Sequence, residues 1–497
     1  MRAALVIGRL RGRYAYVLAV TWVLLMSFFI RLVDLEDRPV HADEAEHVLI
    51  LAQSLERGFY RFNPEHHHGP TLNGFLGLVV KVSGLPDDWR RWDMLDFRRS
   101  MAGVGVCSLL LLACMRAGMS QMSRLWAVLI CGFSPLVVYY HRMVIHEPLL
   151  VLGACGVMLT GMEWVRRPGY FLAMVMGIVL AWMASTKLTF LIYVTSWVVA
   201  AGFLLIRNGR SGTDCWKAPR EWPWHAVTVL LAFSLTVGAL FSSWGKHPQG
   251  VLDAIGGWMH YKTDPGHGHS GDIYLRLFFG DASIAFPHRD PLCLLAGLGG
   301  CLYSLWRGHP WGCFLAVSSL IQLFCHAVIA YKTPWLWMLF WVQWGCLGGL
   351  GLEAGLRLFS RFGKVLLLAG VGIAFWSSCQ SCITLNLRYH SDARNPIAYA
   401  PTSRQLPELA AYLDRVYPQL PLEVYGGDVW PLPWYLRKRQ VRYEGMAELV
   451  LPSGVPCILS QTAWMERLQR GGEVPRDFLP FALRSNVLVF LVPPSSL

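Results

Sequence analysis

The stretch YAYVLAVTWVLLMSFFIRLV (residues 14–33) runs through DLEDRPV into His41-Ala42-Asp43-Glu44-Ala45-Glu46-His47. Its length matches the roughly 20 residues that cross a bilayer core as a helix. Arg2, Arg9, Arg11 and Arg13 precede it. A secretory signal shares this order of charge and apolar run, and Val40-His41-Ala42 resembles a cleavage site. The run is longer than a signal core, and charged residues 34–38 separate it from that site, so an uncleaved anchor is expected. An acidic cluster directly beyond an anchor then needs a reason, because carboxylates near hydrocarbon are costly unless solvated or paired.

The same reading extends along the chain. Of 497 residues, 54% are hydrophobic and 15% charged, against about 25% charged in soluble domains. Ten further apolar runs follow, at 100–115, 125–140, 148–162, 170–185, 188–206, 224–244, 291–306, 311–330, 335–352 and 365–385. With the anchor they predict an α-helical polytopic membrane protein of about eleven spans. The 13 cysteines show no zinc or disulfide spacing and read as small hydrophobes within apolar runs.

The net charge of +12 would suit nucleic acid in a soluble protein, but its positions point to the membrane. With the N-terminus cytoplasmic, the cytoplasmic connections carry Arg116, Arg124, Arg166, Arg167, Arg207, Arg210, Lys217, Arg220, Arg307, Arg357, Arg361 and Lys364, against Glu163, Asp214, Glu221 and Glu353. That bias orients helices, and it excludes a nucleic-acid role. Residues 1–386 form the membrane domain, in the cell's inner (plasma) membrane. Outer loops at 34–99 and 243–290 and the tail 387–497 then face the extracytoplasmic side. The tail alternates helix-like stretches (405–416, 462–469) with strand-like ones (422–425, 457–459, 487–492), which predicts a small α/β domain.

The unusual chemistry falls on that outer side. Asp43 or Glu44 can serve as a general base at the membrane surface, although a solvated loop with Asp43 as helix cap would look the same. NPEHHHGP (residues 63–70) reads as a turn, and its adjacent histidines cannot all face one point. In YYHRMVIHEP (139–148), His146 shares a face with Arg142 if the segment is helical. Lys187 and Lys332 are lone cations on a face where cations are uncommon. They are snorkelling side chains or contacts for an anion such as a lipid phosphate.

Together with STKLTF (185–190), YKTPWL (331–336), NPIAYAPTS (395–403) and WPLPWYLR (430–437), these stretches resemble the GT-C glycosyltransferase superfamily. That superfamily includes the dolichyl-phosphate-mannose–protein mannosyltransferases. The closer likeness is to its flippase-activity-associated family. The resemblance implies Asp43 or Glu44 as the proposed general base, Glu147 as the second acid, and Arg142, Lys187 and Lys332 as donor-phosphate contacts. His146, His67, His68 and Tyr331, from the same motifs, are assigned to substrate binding. Glu147 departs from the Asp of many relatives. No cofactor is fixed; a divalent metal on Asp43, Glu147 and His68 stays open. The implied activity is inverting transfer of a sugar from a polyprenyl phosphate to a glycan, lipid or protein at the outer face. The alternative is a non-catalytic partner of a lipid-linked oligosaccharide flippase or other glycan-assembly proteins, binding the same headgroup. A secondary transporter fits less well, because transporters place ionisable groups at the midplane and carry repeats.

Overall fold

The computed structural model describes residues 2–63, 68–211, 221–260, 272–279, 288–445, 454–470, 475 and 477–494. All eleven apolar runs are helical. They correspond to α1 (Arg2–Leu32), α4 (Met94–Cys114), α5 (Gln121–Phe133) with α6 (Pro135–Tyr140), α7 (Glu147–Arg166), α8 (Tyr170–Ala184) and α9 (Phe190–Ser211), then α10 (Trp222–Phe241), α13 (Pro291–Arg307), α14 (Pro310–Val328), α15 (Met338–Leu358) and α16 (Arg361–Ile383). Eight of these regions are long and apolar enough to cross a membrane. The other three, α5, α8 and α13, have 13, 15 and 17 residues. Helix α5 stops at Ser134 because Pro135 cannot donate into its ladder; the proline instead opens α6.

Helix α15 is the axis of the bundle, and 94% of its apolar window is buried. Its glycines allow backbones to touch: a Cβ on Gly349 would meet the Ser123 carbonyl, and one on Gly300 of α13 the Leu347 carbonyl. Close approach through small residues is how membrane helices gain contact without a hydrophobic drive. Four short helices, α2 (Ala42–Arg57), α3 (Thr71–Ser83), α11 (Gln249–Met259) and α12 (Ile273–Phe279), lie in the two long loops.

The tail holds α17 (Gln405–Val416), β1 (Leu422–Tyr425), α18 (Leu432–Tyr435), β2 (Val441–Glu444), β3 (Cys457–Ser460), α19 (Gln461–Gln469), β4 (Leu479–Arg484) and β5 (Val487–Val492). The sheet order is β2-β1-β3-β5-β4, with β1 parallel to both neighbours and β5 antiparallel to both of its own. Alternation sends Val424, Ile458, Val489 and Leu491 onto α17, and Tyr425, Leu459, Phe490 and Val492 toward Trp464 of α19. Both unanticipated strands, β2 and β4, are edges. The sequence VRYE of β2 offers no buried residue for a pattern to reveal.

The tail docks on the first long loop. Val40 N–H donates to the Tyr435 hydroxyl at 2.7 Å, and the Thr402 hydroxyl donates to the Val40 carbonyl at 2.8 Å. Asp37 meets both His390 and Arg404, and Arg437 donates to the Trp92 carbonyl. These residues come largely from NPIAYAPTS and WPLPWYLR, so those two motifs are docking segments.

Candidate active site

Helix α2 begins in a capping box. The His41 backbone N–H donates to Glu44 at 3.0 Å, and the Asp43 N–H donates to His41 Nδ1 at 3.2 Å. Nδ1 is thus the acceptor, so Nε2 carries the proton it donates to the Tyr399 carbonyl at 2.9 Å. The expected cap, Asp43, is instead two residues inside the helix. From there the helical period sorts the side chains. Glu44, Val48 and Leu51 are buried, while Asp43, His47, Ile50 and Arg57 line a cavity of about 940 Å³.

Glu44 lies outside that cavity lining. It is fully buried, with Arg98 donating to it through Nε at 2.9 Å and Nη2 at 2.6 Å, and Val144 N–H donating at 3.1 Å. Arg98 spends its remaining donors on the carbonyls of Leu35, Arg38 and Pro39. Burial alone would raise the Glu44 pKa; Arg98 beside it, with help from Arg38 and the His41 N–H, brings it down to about 2. Every acceptor position is engaged, so this carboxylate fixes the loop and has no opening toward a substrate. Asp43 keeps 37% of its side chain exposed within the cavity.

Two further segments reach the same space. Gly69 N–H donates to the Thr186 carbonyl and Thr71 N–H to the Ser185 carbonyl, and His68 pairs with Lys187 in an isolated antiparallel bridge. A Cβ on Gly69 would collide with the Ser185 carbonyl, so only glycine permits this seam. Residues 141–146 are a turn rather than the helix considered above. The turn sends His146 and Glu147 into the cavity. Lys187 Nζ then donates to Glu147 Oε1 at 2.6 Å. Burial would lower the Lys187 pKa, and the Glu147 carboxylate overrides this and holds it above its ordinary value. The rings of His47, His68 and His146 gather with centroids 4.4–6.0 Å apart. Burial, assisted by Lys187 and His41, pushes the His47 pKa down to about 4. Tyr331, Trp335, Tyr399 and Trp430 complete the wall.

Of the expected site, Asp43, His68, His146, Glu147, Lys187 and Tyr331 therefore converge. His67 lies outside the described residues. Arg142 and Lys332 do not join the cavity lining. Arg142 donates to the Ile30 carbonyl at 2.8 Å, and Lys332 to the Ile329 carbonyl at 2.6 Å. Each satisfies a carbonyl at the end of a helix, where intrahelical partners run out. Among the described residues no group of three or more His, Cys, Asp or Glu is placed to hold a metal. The candidates Asp43, Glu147 and His68 thus form no ready site. The sequence reading passed over Arg98 and assigned no role to His47, Trp335, Tyr399 or Trp430. Only His47 carried a usable signal, its position four residues after Asp43 on one helical face.

No family model and no curated protein matches the sequence. Solved structures do match in fold. ArnT from Cupriavidus metallidurans bound to undecaprenyl phosphate superposes with a TM-score of 0.60 at 12% identity, over 97% of this chain and 99% of that one. The oligosaccharyltransferase AglB from Archaeoglobus fulgidus, in complex with an inhibitory peptide and a dolichol-phosphate, gives 0.54 at 11% identity over 86% and 64%. The mycobacterial arabinofuranosyltransferase AftD gives 0.50 at 14% over 97% and 40%. The chain has the GT-C fold and is a multi-pass membrane protein.

Proposed function

We propose that the protein is a membrane glycosyltransferase that moves a sugar from a polyprenyl phosphate to an acceptor hydroxyl, with inversion, at the outer face of the membrane. The observation that carries this reading is one cavity at the end of a membrane bundle, with an open carboxylate, Asp43, and a buried cation, Lys187, on its walls. Asp43 accepts the proton of the acceptor hydroxyl as that oxygen bonds to the anomeric carbon. The bond from that carbon to the phosphate oxygen breaks on the opposite side, and the phosphate leaves with both electrons. Lys187 stabilises the charge that develops there, the kind of preorganised electrostatic help that dominates many transfer reactions. Glu147 keeps the ammonium charged and aimed. The aromatic wall offers faces for a sugar ring. ArnT and AglB were each solved with a polyprenyl phosphate, which supports the donor class. The basic connections at the other end of the bundle support the outer face.

The test incubates purified protein with labelled polyprenyl-phosphate sugars and extracted membrane glycolipids and proteins. Wild type should transfer label and release polyprenyl phosphate. Asp43→Asn should slow transfer about 10²–10⁴-fold and still bind the donor. Wild-type protein that binds these lipids and transfers nothing across the panel would replace this reading with the flippase partner.

A further inference from the structure

Away from the cavity, α13, α15 and α16 enclose a second hollow of about 780 Å³. Its walls are apolar but for Tyr303, from Pro291 at the start of α13 to Trp306 near its finish, where Leu358 and Phe359 also stand. That helical length is about 23 Å at 1.5 Å per residue, most of a hydrocarbon core. Gly299 and Gly370 line it with nothing within 4 Å of where a Cβ would stand. Their small size therefore opens space instead of admitting a neighbouring helix.

The two ends of this groove differ in charge. At the end nearer the catalytic cavity stands Asp290, held by Trp341, Ser378 and the Cys293 N–H. At the far end are Arg307, Arg361 and Lys364. The Arg307 guanidinium lies 4.8 Å from the centre of the groove-lining Trp306 ring. Arg361 and Lys364 occupy the first turns of α16, which Ser360 caps by accepting the Gly363 N–H. The positive end of a 23-residue helix adds to their field. The nearby acid, Glu353, is already held by Arg357, Ser120 and Ser123. Among the described residues none of the three cations has a carboxylate within ion-pair distance.

We infer that this groove is a binding site for an anionic glycerophospholipid, with an acyl chain along α13, α15 and α16 and the phosphate at Arg307, Arg361 and Lys364. Charge complementarity selects this occupant. A polyprenyl phosphate bound for catalysis needs its headgroup at the opposite end. A helix from a second copy would leave three cations facing an apolar partner, an arrangement that costs more than it returns. A zwitterionic lipid brings a choline cation that the same three side chains repel.

The test is native mass spectrometry of the full chain in detergent with equimolar phosphatidylglycerol and phosphatidylcholine. Wild type should retain phosphatidylglycerol preferentially. Each of Arg307→Gln, Arg361→Gln and Lys364→Gln should reduce that preference about fivefold, and the triple variant about a hundredfold. Gly370→Phe, which fills the groove, should lower retention of both lipids. All three glutamine changes are at the membrane surface, and their melting temperatures should match wild type. Equal retention of the two lipids by wild type would overturn the proposal. So would a dimer lost with Gly370→Phe, which would make the occupant a second copy.

Discussion

Two acid–base clusters start from adjacent residues, Glu44 and Asp43, and behave oppositely. Around Glu44 and Arg98, acid and base are sealed from water and every bond is used. Around Asp43, Glu147 and Lys187, the charges line a cavity and leave donors and acceptors for a ligand. The lesson is that residue type near a membrane surface does not separate structure from chemistry. Solvation and unspent hydrogen-bonding capacity do.

Breaking the sealed cluster should have the largest effect. Arg98→Met strands a buried carboxylate and should cost about 3–5 kcal/mol, read as loss of folded protein or a large fall in melting temperature. The open cluster should answer differently. Lys187→Met should lower transfer about 10²–10³-fold, the scale of removing one preorganised donor. It also strands Glu147, so the double variant with Glu147→Gln should recover stability without recovering turnover. If activity returns with stability, Lys187 is structural. Lys332→Gln should cost about 1 kcal/mol of stability, the worth of one hydrogen bond, and leave the donor Michaelis constant unchanged. A raised constant would bring Lys332 back into the site.

Much of this was legible in the sequence. Hydropathy located all eleven helical runs, and the strands at 422–425 and 487–492 match β1 and β5. Of the residues assigned to one face by the basic bias, Asp43, His68, Glu147, Lys187 and Tyr331 line one cavity. Which of Asp43 and Glu44 lies on the buried face of α2 was legible too. Val48 and Leu51 follow Glu44 at four and seven residues, so its face is the apolar one, while His47 and Ile50 follow Asp43. What could not be read were the long-range partners. Glu44 and Arg98 are 54 residues apart, and Glu147 and Lys187 are 40 apart. No local periodicity links them. Arg142 and Lys332 looked like Lys187 in sequence, and only the helix ends beside them explain the difference.

The same contrast shows through pH. Glu44 titrates near 4.5 when free of its partners and at about 2 in the fold. The unfolded chain binds its proton first as pH falls. The stability from Glu44 is therefore complete above about 4.5 and drains away as pH falls toward 2. Glu44→Gln should flatten that part of an acid-unfolding profile, and an unchanged profile would show that other groups set it.

The division between the two clusters meets its most direct test in one paired measurement on Asp43→Asn and Glu44→Gln. Each variant is purified in the same detergent, its melting temperature is recorded, and its initial rate of sugar transfer is measured below that temperature. Asp43→Asn should melt with wild type and transfer at least a hundredfold more slowly. Glu44→Gln should melt lower and retain most of its rate. A stable, inactive Glu44→Gln beside an active Asp43→Asn would contradict the assignment and move the base to the sealed carboxylate.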